Sequence, residues 1–144
     1  MKIVDLNILL YAVNSAAPGH RLARAWWEDT LNDQDVVVGL PWVVVLGFLR
    51  LATNGRVFPK PMSPAVALAR VDAWLGRDTV RVVREKDDHW ATLRALLAAS
   101  GTAGNLTTDA HLAALALSHD AVLVSSDADF TRFAGLRLEN PLRG

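Results

Sequence analysis

Three aspartates lie beside short apolar segments, where their carboxylates could act together. Asp5 follows the apolar residues 3–4, Asp109 falls near the start of a helical pattern, and Asp127 comes just after the apolar run 121–124. In open α/β sheets, ligands bind outside the carboxyl ends of the strands. The sequence therefore predicts that these carboxylates, although they come from opposite ends of the chain, meet at one edge of a parallel sheet.

Such a cluster of carboxylates has a direct chemical consequence. Like charges held close together repel one another and raise each other's pKa unless a cation offsets them. Carboxylate oxygens are hard ligands that suit Mg²⁺ or Mn²⁺ better than Zn²⁺. The pattern predicts a Mg²⁺ (or Mn²⁺) site formed by Asp5, Asp109 and Asp127. The alternative is that each aspartate only caps a neighbouring helix, which is a common role for this residue type.

The elements that would position these residues alternate between strands and helices, which predicts an α/β fold with a parallel sheet and right-handed crossovers. Apolar and β-branched runs predict strands at 2–5, 35–39, 80–83 and 121–124, with an edge strand near 136–138. Helical periodicity and capping residues predict helices at 6–13, 18–32, 41–53, 64–76, from 87 or 88 to 99, and from 107 or 108 onward.

Composition limits the possible classes of protein. A chain of 144 residues, half of them hydrophobic, predicts a single domain, 1–144. The formal net charge is zero, so any nucleic-acid binding must come from local basic patches. The absence of cysteine excludes thiolate metal sites and is compatible with a reducing compartment. The longest apolar stretch, 36–49, is broken by Pro41 and is shorter than the roughly 20 residues that span a bilayer, so we expect a soluble protein without a membrane segment.

Four motifs together resemble a known family. These are VDLNILLYA, PWVVVLGFLRLATNGRVF, LTTDAHLAALA and LVSSDADFTRF, and they span nearly the whole chain. The chain resembles PIN-domain ribonucleases, and more narrowly the VapC-type toxins of bacterial type II toxin–antitoxin pairs. The resemblance implies a three-layer α/β/α fold and a cytoplasmic, Mg²⁺- or Mn²⁺-dependent endoribonuclease that cuts structured RNA (tRNA or rRNA). It also implies a cognate VapB-type antitoxin and a homodimer.

The resemblance assigns roles by position. Asp5, Asp109 and Asp127 resemble the family's metal-binding and catalytic acids. Asn7 matches the polar residue of the opening motif and is expected to orient Asp5, and Ser125 stands where the family often has Ser or Thr near the metal. For Asp129 two interpretations stay open: an extra carboxylate at the metal, or a surface cap before Phe130.

One departure and several basic residues bear on activity. Val45 stands where the family usually has a fourth acid, so we expect three carboxylates, weaker metal affinity, and one metal rather than two. Arg50 and Arg56 are predicted RNA contacts, with Lys60 and Arg132 as weaker ones, although a solvated surface role suits each of them better.

Other functions stay open. The first is a PIN fold that binds RNA or a partner without cutting, which Val45 favours. The second is a different α/β phosphohydrolase or a receiver-type domain that also places aspartates at strand ends. The apolar face that docks a partner is predicted around Trp26, Trp27 and Phe48.

Overall fold

The structure is a computed structural model that describes residues 1–143. The strands are β1 (Lys2–Val4), β2 (Val38–Pro41), β3 (Val80–Val83), β4 (Val122–Val124) and β5 (Arg137–Glu139). The α-helices are α1 (Leu6–Val13), α2 (His20–Asn32), α3 (Trp42–Ala52), α4 (Pro64–Leu75), α5 (His89–Ser100) and α6 (Leu106–Ser118). A 3-10 helix covers Ala128–Arg132.

The strands form one parallel sheet in the order β3-β2-β1-β4-β5. Ile3 on the central strand β1 pairs with Gly39 on one side and with Leu123 on the other. Because every strand runs in the same direction, the carboxyl ends of all five lie along one edge of the sheet. The predicted three-layer α/β/α fold with a central parallel sheet is confirmed.

Close packing on the sheet explains the glycine in β2. A Cβ atom at Gly39 would lie 2.4 Å from Cγ2 of Val83 and 3.1 Å from Cγ1 of Ile3. Val83 belongs to β3 and Ile3 belongs to β1, so a larger residue at position 39 would force these neighbours to shift. Gly39 therefore allows β1, β2 and β3 to keep the register that aligns their ends.

Aromatic side chains join α2, α3 and α4. Trp74 contacts Phe48 with ring centroids 4.8 Å apart and Trp27 with centroids 5.6 Å apart, both edge to face. Phe48 is fully buried and Trp27 is 4% exposed, so these two side chains belong to the core, whereas Trp26 is partly exposed. The docking face predicted around Trp26, Trp27 and Phe48 stays a prediction. The large apolar side chains that do face solvent include Trp42 and Leu46 of α3 and Trp90 of α5.

Several element ends differ from the predictions. β2 begins at Val38 rather than at residue 35, because Asp33 accepts a hydrogen bond from the backbone N–H of Asp35 and prolongs the turn. α6 begins at Leu106, so neither Thr107 nor Thr108 caps it. The cap predicted at Ser63 is present, with its hydroxyl accepting from the N–H of Val66. Within residues 1–143, no helix has the length and apolar character needed to cross a membrane.

Candidate metal centre

Asp5 is the first residue beyond β1 and is fixed to the neighbouring strand. Its backbone N–H donates to the carbonyl of Val124 over 2.9 Å, and the residue is only 7% exposed. Although Asp5 occupies the N-cap position of α1, its side chain makes no capping hydrogen bond there. The capping interpretation of Asp5 was therefore wrong, and its carboxylate is free to face the edge of the sheet.

Ser125 links the acids that follow β1 and β4. Its hydroxyl donates a 2.7 Å hydrogen bond to Oδ2 of Asp5 and accepts a 3.0 Å bond from the backbone N–H of Asp127. Asp127 in turn accepts the N–H of Asp129 on Oδ1 over 2.9 Å, which starts the 3-10 helix. These bonds set the positions of Asp5 and Asp127 relative to each other, and Ser125 has the supporting position that the sequence predicts.

Asp109 approaches the same edge from α6. It lies in the first turn of that helix, and since α6 runs directly into β4, the start of the helix lies toward the carboxyl ends of the strands. One carboxylate oxygen each from Asp109, Asp127 and Asp129 lie within 4.8 Å of one another. Asp129 is therefore close to Asp109 and Asp127, while Asp5 is not in this group of oxygens. The Asp129 side chain is half exposed and lies 3.7 Å from Arg132.

A cleft of about 180 Å³ opens between these elements. We call it the acidic cleft. It has room for an ion with several water molecules, each of which takes about 30 Å³ in the liquid. Its walls bring together the three predicted acids and Asn7. The lining residues are Asp5, Leu6, Asn7, Val43, Val44, Thr108, Asp109, Leu112 and Asp127.

The proximity of the acids changes their protonation. Burial, and to a smaller extent the charges of Asp127, Asp5 and Asp129, together raise the pKa of Asp109 to about 6. Burial also raises the pKa of Asp5, an effect that the hydrogen bond from Ser125 opposes. A cation among these oxygens would offset the repulsion that adds to the effect of burial on both pKa values. The donor set is entirely oxygen and acidic, so it fits a hard divalent cation.

Two valines of α3 other than Val45 line the acidic cleft. These are Val43 and Val44, while Val45, which is as buried in the core as Val44, does not line it. The assignment of the fourth-acid position to Val45 stays a prediction from the resemblance. A helix turns by about 100° per residue, so a shift of one or two positions moves a side chain to another face. Asn7 lies in the cleft but makes no hydrogen bond to Asp5 within the described residues, so Ser125 orients Asp5 instead.

The predicted RNA-binding residues lie outside the acidic cleft. Arg50 at the end of α3 and Arg56 in the following turn are exposed, and neither lines it. Lys60 lines a different cleft together with Phe58, and Arg132 is near Asp129. Their roles as RNA contacts stay predictions.

A second polar cleft next to the acids was missed from the sequence. It has a volume of about 160 Å³, shares Asp127 with the acidic cleft, and is lined by residues after β4 and β5. We call it the donor cleft. Asn140 comes directly after β5, as the aspartates come after β1 and β4, and that spacing is the signal that could have revealed it. The lining residues are Ser125, Ser126, Asp127, Ala128, Thr131, Leu138, Asn140 and Arg143.

Comparison with known proteins places this arrangement in a family. The model of the PIN domain matches residues 2–136. Ribonuclease VapC33 of Mycobacterium tuberculosis is 45% identical over 143 residues, which cover 99% of each chain. Ribonuclease VapC37 of the same organism is 43% identical, over 98% of this chain and 97% of the relative.

A solved structure shows the same fold. The crystal structure of VapBC2 from Rickettsia felis, bound to a DNA fragment from its promoter, includes a chain that matches with a TM-score of 0.69 and 19% identity. The match covers 96% of this chain and 97% of that one. The alternative of a receiver-type domain or an unrelated phosphohydrolase was therefore wrong. Family model, relatives and fold agree: the chain belongs to the PIN domain family, and within it to the VapC type.

Proposed function

We propose that this protein is a Mg²⁺- or Mn²⁺-dependent endoribonuclease, the toxin of a toxin–antitoxin pair, that hydrolyses phosphodiester bonds in structured RNA such as tRNA or rRNA. The observation that supports this most strongly is the convergence of Asp5, Asp109 and Asp127 in one cleft. The chain is also 45% identical, over 99% of its length, to a protein named a ribonuclease. The whole chain, 1–144, acts as one PIN domain in this proposal.

The acids would hold the cation directly or through water. Bound there, a divalent cation lowers the pKa of a water ligand and offsets the charge that develops on the phosphate. Ser125 donates to Oδ2 of Asp5, and the carboxylate keeps oxygen lone pairs that can bind a cation. Ionised Asp109, Asp127 and Asp129 repel an anionic phosphodiester, so these residues bind the substrate only when their charge is offset.

We further propose that a cognate VapB-type antitoxin blocks the acidic cleft and that the toxin forms a cytoplasmic homodimer. The solved VapBC2 structure, whose name pairs the two proteins, supports an antitoxin partner. The exposed side chains of Trp42 and Leu46 on α3 support a self-association surface, since they are 48% and 61% exposed. Arg50 and Arg56 are proposed to contact RNA phosphates near this surface.

The proposal is tested by RNA cleavage. Purified protein should cut total tRNA or rRNA with Mg²⁺ present, and both EDTA and Asp109→Asn should abolish cutting. Asp72→Asn removes an exposed acid of α4 that lines none of the clefts next to the acids, so it serves as the matched control and should leave cutting unchanged. Cleavage that persists in EDTA and in Asp109→Asn would contradict the proposal.

A second candidate function has its own support. α3 presents only valines, Val43 and Val44, to the acidic cleft, and so it offers no fourth carboxylate. A PIN domain with too few acids to hold a metal would bind RNA or a partner without cutting. Calorimetric titration with Mn²⁺ separates the two: the nuclease binds the ion at micromolar to millimolar concentrations, whereas the silent module does not bind it.

A further inference from the structure

The donor cleft continues the functional edge of the sheet one strand outward. The edge passes from Asp5 after β1 to Asp127 after β4, and then to Asn140 after β5. The backbone N–H of Ser125 donates to the carbonyl of Glu139 over 3.0 Å, which holds the ends of β4 and β5 together. Because Asp127 lines both clefts, a chain molecule that lies over the acids also passes the donor cleft.

The donor cleft differs from the acidic cleft in its chemistry. The turn after β5 brings Arg143 back over it, with the N–H of Arg143 donating to the carbonyl of Asn140. Within residues 1–143, the Arg143 guanidinium has neither a hydrogen bond nor an ion pair, and the Ser126 hydroxyl has no hydrogen-bond partner. Asn140 uses its Oδ1 to accept the N–H of Leu142, so its amide NH₂ is free to donate.

These three groups are all donors, and one of them is positively charged. Thr131 is not among them, because its hydroxyl already donates to the carbonyl of Ala128 over 2.7 Å. Free hydroxyl, amide and guanidinium donors in one small cleft match the oxygens of a phosphate group, which accept several hydrogen bonds at once. Phosphate contacts of this kind position a nucleic acid without reading its sequence.

We propose that Ser126, Asn140 and Arg143 bind a phosphate group of the RNA strand adjacent to the phosphodiester that is cleaved in the acidic cleft. This inference rests on the proposed function, and it assigns these residues a role in positioning RNA rather than in the chemical step. An acidic peptide would also meet donors here. We favour RNA because Asp127 lines both clefts, and a strand that is cleaved in the acidic cleft carries a phosphate at every nucleotide on either side.

The test measures RNA binding without cleavage. A fluorescently labelled single-stranded RNA of mixed sequence is titrated with protein in EDTA, and anisotropy is followed over a range of salt concentrations. Arg143→Gln should weaken binding about three- to tenfold and reduce the salt slope by about 0.7, the value for one lost phosphate contact on a single strand. Arg21→Gln removes an exposed charge from α2 outside both clefts and should change neither quantity.

A second variant guards against an effect on folding. Asn140→Asp keeps the Oδ1 that accepts the N–H of Leu142, but it replaces the free NH₂ with a negative charge. Asn140→Asp should weaken RNA binding at least as much as Arg143→Gln does. The Mn²⁺ affinity of Arg143→Gln, measured by calorimetry, should stay within twofold of the wild-type value.

The outcomes are distinct. RNA binding equal to wild type in both variants would overturn the inference. The inference would also be overturned if the variants lost binding to a polyglutamate peptide but kept RNA binding, because the donors would then bind an acidic protein partner. After either of these outcomes, cleavage of RNA by wild-type protein with Mg²⁺ would still support the nuclease proposal. Arg143-dependent RNA binding in a protein that never cleaves would support the inference and remove the nuclease proposal alone.

Discussion

The hydroxyl of Ser125 donates to Oδ2 of Asp5 over 2.7 Å, although the two residues are 120 positions apart in the sequence. The Ser125 hydroxyl oxygen also accepts a hydrogen bond from the backbone N–H of Asp127. One small side chain thus joins the ends of β1 and β4 and fixes the separation of two acids. The acidic cleft depends on this bond as well as on the carboxylates themselves.

Removing that hydroxyl should destabilise both the fold and the metal site. In Ser125→Ala, the buried carboxylate of Asp5 loses a donor, and we expect the free energy of unfolding to fall by about 1–3 kcal/mol. Mn²⁺ affinity should fall as well, because the hydrogen bond from Ser125 holds down the pKa of Asp5. Urea unfolding and calorimetry measure the two effects.

Ser118→Ala is the matched control for this change. The Ser118 hydroxyl is buried and has no hydrogen-bond partner among the described residues, so its removal leaves no group unpaired. We expect a change within about 0.5 kcal/mol. Equal losses of stability in Ser118→Ala and Ser125→Ala would contradict the role of the Ser125 bond.

The burial of Asp109 and the negative charges around it predict an unusual dependence of stability on pH in metal-free protein. The pKa of Asp109 is about 6 in the folded state, above its ordinary value of 3.8. Between these values the folded state binds more protons than the unfolded state, so stability falls as pH rises from about 4 to 6. Asp109→Asn removes this loss, and we expect it to stabilise the metal-free protein at pH 7 by about 1 kcal/mol after allowance for solvent screening.

Thermal unfolding in EDTA between pH 4 and 7.5 checks the pH effect, and Asp72→Asn serves as the control acid. Saturating Mn²⁺ should raise the melting temperature of wild-type protein at pH 7 and should raise that of Asp109→Asn much less. If Asp109→Asn is less stable than wild type in EDTA at pH 7, the ionised Asp109 carboxylate is not destabilised by burial and by its acidic neighbours.

The position of α3 predicts opposite results for two neighbouring substitutions. Val43 is partly exposed and lines the acidic cleft, so Val43→Glu adds a carboxylate there and should raise Mn²⁺ affinity on the order of tenfold, or about 1.4 kcal/mol. Val45 is 3% exposed in the core, so Val45→Glu buries an unpaired charge. It should be strongly destabilised, with no gain in metal affinity. A gain of Mn²⁺ affinity in Val45→Glu but not in Val43→Glu would support the assignment of the fourth-acid position to Val45.

Self-association through α3 predicts a sensitive residue. Leu46 is 61% exposed, and Leu46→Lys should convert the proposed dimer to a monomer because a charge would be buried at the interface. Leu68→Lys changes a similarly exposed leucine on α4, and its mass should equal that of wild type. Light scattering measures the masses. A wild-type protein that is monomeric at high micromolar concentration would contradict the proposed dimer.

The sequence predicted the order of elements and the meeting of the acids because both follow from local patterns. Apolar runs mark β1 and β4, and the carboxyl ends of parallel strands share an edge, so Asp5 and Asp127 were expected at that edge. The pairing of β1 with β4 then brings them together. The resemblance of the motifs to a known family added Asn7 and Ser125. The expected edge position of Asp5 and Asp127 needed only the residue types and their spacing, whereas the roles of Asn7 and Ser125 depend on the resemblance.

The remaining features depend on side-chain direction and on pairing between distant segments. Whether Val43 or Val45 faces the cleft is decided by the rotation of α3 about its axis, which the docking of Phe48 against Trp74 fixes. The role of Asn140 depends on the pairing of β5 with β4, which no local pattern specifies. Asp129 could not be assigned either, because its approach to Asp109 depends on the turn that Asp127 starts.

The most direct test of the account is the location of a bound ion. Crystals soaked in Mn²⁺ should show anomalous density between the carboxylates of Asp5, Asp109 and Asp127, with Asp129 near enough to contribute through water. Crystals of Asp109→Asn should lose that density. Density that is absent from the acidic cleft at a concentration that supports RNA cleavage would contradict the proposal that these acids hold the catalytic metal.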